Sequence, residues 1–251
     1  MAAMISVLDT PRQNHLLAAL PPEIFARIAP HLERVSMPLG EVLYETGCPL
    51  QYVYFPTSAI VSIHYILENG SATEISGVGN EGVLGISLLM GGKTTTGLAT
   101  VHTGGYGYRL KGRLMLEEFN RAGPMMHLML LYIQAFITQI SQTAVCNRYH
   151  SIEQQLCRWL LMCLDRLPSN ELTMTQELIS GMLGVRREGI TETAGKLQRA
   201  GLISYRRGHI TVLDRDGLAN HACECYEVVR KEFHRLIKNG TAVNFLPPNE
   251  N

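Results

Sequence analysis

Residues 178–190 read LISGMLGVRREGI. Leu178, Ile179, Met182 and Leu183 recur at one-, three- and four-residue steps, which marks one face of a helix. Gly184 ends that helix, because a left-handed cap residue costs least without a Cβ. Ile190, Ala194 and Leu197 then resume a helical period, and small Ser180 stands four residues before Gly184, where two helices must approach closely. Two short helices joined by a tight glycine turn make a helix-turn-helix, whose second helix can lie in the major groove of DNA. A helical hairpin in an ordinary all-α domain has the same local pattern. Charge adds to the first reading. Between positions 186 and 207 stand Arg186, Arg187, Lys196, Arg199, Arg206 and Arg207 against Glu188 and Glu192, six minus two or a net +4, although the chain as a whole is formally neutral.

The 251 residues allow one large domain or two ordinary ones, and 46% hydrophobic with 18% charged residues describes an ordered globular chain. No uninterrupted apolar run reaches the ~18 residues of a membrane span. The start MAAMISVLDTPRQNH lacks a basic n-region and apolar core, so a cytoplasmic protein without a membrane partner is expected. The six cysteines (48, 146, 157, 163, 223 and 225) show no CxxC pair, and reduced thiols are the default. Cys223 and Cys225, two apart on a predicted helix, point to different faces. His221 and Cys225 could share one, but two ligands make a poor site, so no metal is expected.

Along the chain, residues 14–34 read as short helices, with the prolines of PPEIFARIAPHLERV allowed in a first turn. From about 35 to 110 the texture changes to short β-type runs cut by glycine (VLYETG, YVYFPTSAIVSIHYI, ATEISGVG, LATVHTGGYGYRL), with a hairpin-type turn at Glu68-Asn69-Gly70. Many short strands at this spacing predict a barrel or roll. From Pro124 one long helix follows, with two apolar stripes. Met129, Ile133, Phe136 and Ile140 are expected to cover the roll. Leu128, Leu131, Ala135, Thr138, Gln142 and Val145 are expected to pair with the same helix of a second subunit, Gln142 fixing the register. Ser151 restarts a helix with Glu153 and Gln154 in its first turn and Leu156, Trp159, Leu160 and Cys163 inward. Pro168-Ser169-Asn170 breaks it, and Thr173 with Gln176 has capping-box spacing, Thr175 being the other candidate cap. LISYRR and HITVL, joined through Gly208, predict a hairpin carrying Arg206 and Arg207, which makes a winged helix-turn-helix. Residues 217–238 read as a last amphipathic helix, and PPNEN as a disordered end. The expected fold class is therefore α+β, with a β-roll sensor domain and dimerisation helix over 1–149 and a winged helix-turn-helix domain over 150–251.

This order of parts resembles the Crp–Fnr family of bacterial transcription regulators, over nearly the whole chain. LGEVLYETG carries the roll signal, and TQELISGMLGVRREGITETAGKLQRAGLI resembles the family's DNA-binding signature through the turn. In that family the recognition helix opens with a polar residue followed by Arg and Glu that contact base edges; Arg186, Arg187 and Glu188 hold those places here. The chemistry agrees, since arginine grips guanine O6 and N7 in bidentate fashion and glutamate accepts from cytosine N4. Departures are Glu192 where a base-reading arginine is common, Gly189 for a threonine and Thr193 for an aliphatic residue. Glu188 or Glu192 can also pair within the helix with Arg187 or Lys196. The expected DNA contacts are thus Thr175, Arg186, Arg187, Glu188, Thr191, Glu192, Lys196, Arg206 and Arg207. The resemblance further implies a palindromic double-stranded operator, a homodimer and RNA polymerase as partners.

Cyclic-nucleotide members of the family resemble one another in a Gly-Glu-Leu-Gly run followed by Arg-Ser or Arg-Thr. Here Gly82-Val83-Leu84-Gly85 puts valine where the ribose-binding carboxylate belongs, and GGKTTTGLATV has no arginine for the phosphate. Lys93 supplies charge without a bidentate fork, and Glu81 stands one residue off, so the effector pocket over Glu81, Gly82, Val83, Gly85 and Lys93 is not expected to take cyclic AMP. The family's iron–sulfur type has a cysteine cluster near the N-terminus, whereas the first cysteine here is Cys48. Haem would rest on a lone strand histidine, His64 or His102. The cofactor stays unassigned. The competing class is a cyclic-nucleotide-responsive subunit acting through protein contacts. An enzyme is not expected, because no nucleophile–base pair or HExxH appears and GGKTTTG lacks phosphate-loop spacing.

Overall fold

A computed structural model describes residues 10–238 apart from 69 and 71. The turn predicted at Asn69 and the end predicted at PPNEN lie outside the described residues.

Two short helices open the chain, α1 (His15–Ala19) and α2 (Pro22–Ile28). Asn14 caps α1 through its carboxamide oxygen, and its amide nitrogen donates to the carbonyls of Pro56 and Gly82. Pro22 fills the first turn of α2, where a missing N–H costs nothing. Seven antiparallel strands then build the roll: β1 (Glu33–Met37), β2 (Val42–Tyr44), β3 (Tyr52–Pro56), β4 (Ile60–Ile66), β5 (Ala72–Val78), β6 (Leu98–Thr103) and β7 (Gly105–Lys111). They form two sheets, ordered β1-β7-β3 and β2-β6-β4-β5. The β-branched and aromatic runs supply the inward side chains, among them Val53, Phe55, Val61, Val101 and Leu110.

After α3 (Gly112–Phe119) comes α4 (Pro124–Tyr149), a 26-residue helix long and apolar enough by composition to cross a membrane, with a mean hydropathy of 1.3 over an 18-residue stretch. In this fold it packs on protein. Met129, Ile133 and Phe136 are buried and Ile140 packs partly against the roll core, as the first stripe predicts. The second stripe requires correction. Leu128 and Ala135 are buried inside their own chain, Leu131, Thr138 and Gln142 are half-buried, and Val145 is exposed. Leu128 and Leu131 belong to the roll core. α9 (Glu224–Phe233), with the π-turn segment His234–Lys238, packs elsewhere on the helix, where Phe233 stands edge-on to Tyr132 and Glu232 meets Gln134. The face of α4 left open lies about one residue away and carries Leu130, Ile137 and Val145, with Gln134 and Ser141 between them.

Ser151 and Gln154 form a reciprocal capping box at the start of α5 (Ile152–Leu164), which is buried on nearly every side. The second core gathers α5, α6 (Gln176–Leu183), α7 (Arg187–Arg199), α8 (Arg215–His221) and the sheet β8-β10-β9, built from β8 (Glu171–Thr173), β9 (Ile203–Arg206) and β10 (His209–Val212). Thr173 belongs to β8 and caps nothing; Thr175 is the cap of α6. The last predicted helix is two. Ala222 and Cys223 are extended and separate α8 from α9, and His221 pairs with Glu153 at 2.9 Å.

The two cores meet along β5. The Trp159 indole donates to Glu74, whose other oxygen accepts from Ser62. Beside them His102 is buried against Trp159, their ring centroids 5.7 Å apart. Burial holds this imidazole down to about 4 from its ordinary 6.5; Glu74 works against the shift and Arg166 with it. The folded protein therefore keeps His102 neutral between these values while the unfolded chain takes up a proton. Stability is expected to fall as pH drops from 6.5 toward 4, by at most about 3.5 kcal/mol from this group at about 1.4 kcal/mol per unit. Denaturant titrations of wild type and His102→Gln across that range check it: the variant's stability should lose most of the slope.

Candidate nucleic-acid interface

Thr175 accepts from the Leu178 amide and starts α6. Gly184 ends it at φ +65°, its N–H and that of Val185 both returning to the Ser180 carbonyl. This left-handed residue is what lets the chain turn so soon into α7. Buried Ile179, Met182, Leu183, Ile190, Ala194 and Leu197 hold the two helices against α5 and the small sheet. Gly189 lies close to α5, where a Cβ would come within 2.8 Å of the Ile152 Cδ1 and push that side chain aside.

With those residues inward, Arg187, Glu188, Thr191, Glu192 and Lys196 stand exposed on the outer face of α7, and exposed Arg186 is its N-cap. Two ties organise them. Lys196 Nζ lies 2.8 Å from Glu192 Oε1, and this hydrogen bond lowers the Glu192 carboxyl and raises the Lys196 ammonium. Thr191 Oγ1 sits 2.7 Å from Gln176 Oε1, linking α7 to the start of α6. Arg187 is only loosely held, 3.7 Å from exposed Glu177, so its guanidinium is available to a ligand.

The hairpin β9–β10 turns through Arg207 and Gly208, at φ +51° and +81°, with Arg206 opposite His209. Two consecutive positive φ values match the twist of a two-residue hairpin. Arginine in this conformation costs about 1 kcal/mol relative to glycine, yet it places a second exposed cation at the tip beside Arg206. The Met174 amide donates to the Gly208 carbonyl at 2.6 Å, so Thr175 and the two wing arginines are neighbours. The nine expected DNA residues thus fall into two groups: one on the face of α7, and one where the wing meets the start of α6. Gln176, joined to Thr191, lies between the groups; its local sequence marked it only for a capping role.

Residues 154–221 match the Crp-like helix-turn-helix domain family. The chain carries a Crp-like DNA-binding domain. Around it, the roll, long helix and wing have the fold of solved Crp/Fnr-type regulators. Similar solved structures include FixK2 from Bradyrhizobium japonicum, at 15% identity and a TM-score of 0.64, covering 76% of this chain and 98% of that one. The c-di-GMP-responsive global regulator CLP of Xanthomonas campestris is 16% identical with a TM-score of 0.61, covering 76% and 99%. A CRP-family transcriptional regulator from Thermus thermophilus is 19% identical with a TM-score of 0.61, covering 76% and 96%. At such identities the likeness is one of fold. No curated protein matches the chain.

The five residues expected to line an effector pocket have different surroundings. Val83 is buried, and its carbonyl accepts from the Tyr132 hydroxyl of α4 at 3.1 Å. Gly82 lies against the same ring, where a Cβ would approach within 2.5 Å of the hydroxyl. Gly85 is a left-handed turn residue packed on β3, and Lys93 is exposed. Glu81 lines a cavity of about 590 Å³ between α1, α5 and α9, together with Arg166, Tyr226 and Phe233. Its carboxylate is taken there by Arg166 at 2.8 Å. Local spacing carried no sign of that partner, 85 residues away.

Proposed function

We propose that the chain acts as a homodimeric, sequence-specific transcription regulator that reads a palindromic operator with α7 and is not controlled by a cyclic nucleotide. The exposed face of α7, held beside a wing with two arginines, is the observation that carries this reading. Arg187 and Glu188 open the helix and read base edges, while Thr175, Arg206 and Arg207 hold phosphate. Arg186, Thr191, Glu192 and Lys196 flank them, the last two as a pair. Segment 82–85 is packed on Tyr132 and β3 and Glu81 is engaged by Arg166, which leaves neither a ribose carboxylate nor a phosphate arginine. The protein works where its operator and RNA polymerase are, in the cytoplasm.

Binding selections separate the two kinds of contact. Arg187→Ala should cost ~1–3 kcal/mol at one base position and relax the preference there, whereas Arg206→Ala should weaken all sequences alike and lower the salt slope by about one. Unchanged base preference in the Arg187 variant would remove that arginine from the reading face.

The dimer seam is assigned to Leu130, Ile137 and Val145, at near-heptad spacing on the open face of α4. Ile137→Glu should then give monomers in light scattering at micromolar concentration and bind a full palindrome much more weakly, while Leu131→Glu disturbs the roll core instead. A dimer that persists in the Ile137 variant contradicts the seam.

A further inference from the structure

At the joint between α4 and the DNA-binding domain, four side chains meet that the interface does not use. Cys146 and His150 occupy positions i and i+4 at the end of α4, on one face of the helix. Cys223, in the extended break between α8 and α9, is the N-cap of α9, and Cys225 stands in the first turn of α9. All three cysteines are buried, His150 is nearly so, and the four ligand atoms lie within 4.8 Å of one another. Cys146 Sγ is 3.5 Å from Cys223 Sγ, and Cys225 Sγ is 3.6 Å from His150 Nδ1. A tetrahedral zinc ion with Zn–S near 2.3 Å and Zn–N near 2.0 Å requires edges of about 3.8 Å between sulfurs and about 3.5 Å between sulfur and nitrogen. From these contacts we infer a Cys₃His site for a zinc-type divalent ion, formed by Cys146, His150, Cys223 and Cys225.

Two neighbours of the cluster agree with a bound cation held by thiolates. His150 Nε2 lies 3.4 Å from a Glu224 carboxylate oxygen. A carboxylate on the far nitrogen fixes the tautomer whose Nδ1 lone pair faces the thiols, the arrangement of metal-bound histidines. On the other side, buried Arg158 donates to Thr143 and acts electrostatically on Cys146 and Cys225, with no carboxylate paired to it among the described residues. Three thiolates, a neutral imidazole and a divalent ion sum to one negative charge, which that guanidinium balances. Gln155 reinforces the joint by donating to the Cys146 and His150 carbonyls. Four protein ligands close the coordination sphere, so the ion is structural: it ties the end of the long helix to the break before α9. The predicted single helix over 217–238 hid this, because it placed Cys223 and Cys225 on different faces and offered His221, which turns to Glu153 instead.

The test is elemental analysis of the full chain purified under reducing conditions, with cobalt(II) reconstitution after chelation. One zinc per chain and the charge-transfer and visible bands of tetrahedral cobalt–thiolate coordination are expected. Cys146→Ser, Cys223→Ser and Cys225→Ser should each lose the ion, while Cys48→Ser and Cys163→Ser keep it. Glu224→Gln should weaken zinc affinity by about 10–100-fold in chelator competition. The cobalt spectrum of the wild type decides the matter even where a variant fails to fold. Folded, reduced protein without metal would overturn the inference and leave the thiols as packing. A Cys146–Cys223 disulfide in mass spectra of the unreduced protein, or iron with sulfide, would overturn it as well.

Discussion

One buried cation joins the halves of this molecule. Arg166 leaves the end of α5 and runs across β5 and the loop after it, donating to Glu81 at 2.8 Å and to Gln139 of α4 at 3.1 Å. Gln139 in turn donates to Ser76 and to the Gly77 carbonyl. Burial works against the guanidinium charge, but Glu81 and Glu74 hold it protonated. The glycines beneath it are a consequence. A Cβ at Gly79 would fall 2.8 Å from the arginine stem, and one at Gly77 would fall 3.1 Å from Nη1. A buried ion pair of this kind adds little over a well-packed apolar contact. Removing one partner strands the other, at a cost of about 3–5 kcal/mol. The network thus specifies one orientation of the DNA-binding domain on the roll.

The long helix is the plate on which these contacts are assembled. One face covers the roll, a second takes α9 and the π-turn segment, and a third carries Leu130, Ile137 and Val145 into the open. Gln139 puts the Arg166 network on the same helix as that open face, and Cys146 with His150 puts the cysteine cluster at its end. In the proposed dimer, a second subunit docking on α4 would fix the spacing of two α7 helices through rigid elements, which is what a two-fold operator demands.

Features that depend on neighbours in sequence were legible. Gly184 with the periods on either side of it gave the helix-turn-helix; the β-branched runs gave the roll; Ser151 and Gln154 gave the start of α5. Features set by distant partners were not. The apolar residues of α4 do not say which stripes the rest of the chain will cover, so Leu128 and Ala135 read as a seam although the chain buries them itself. Arg166 follows a helix end with no local mark of its role, since its partners lie 27 and 85 residues away. Cys223 and Cys225 looked harmless because a continuous helix would have separated them, and two extended residues are enough to undo that. On α7 the exposed residue types were readable, but the pairing of Glu192 with Lys196 was one of several pairings the spacing allowed.

Differential scanning calorimetry of Arg166→Met tests most directly whether this residue makes the two halves one body. The wild type should unfold in a single cooperative transition. In the variant, the roll with α4 and the winged domain should separate into two transitions, the first well below the wild-type temperature. An Arg166→Met protein that still unfolds in one transition at the wild-type temperature would contradict the account.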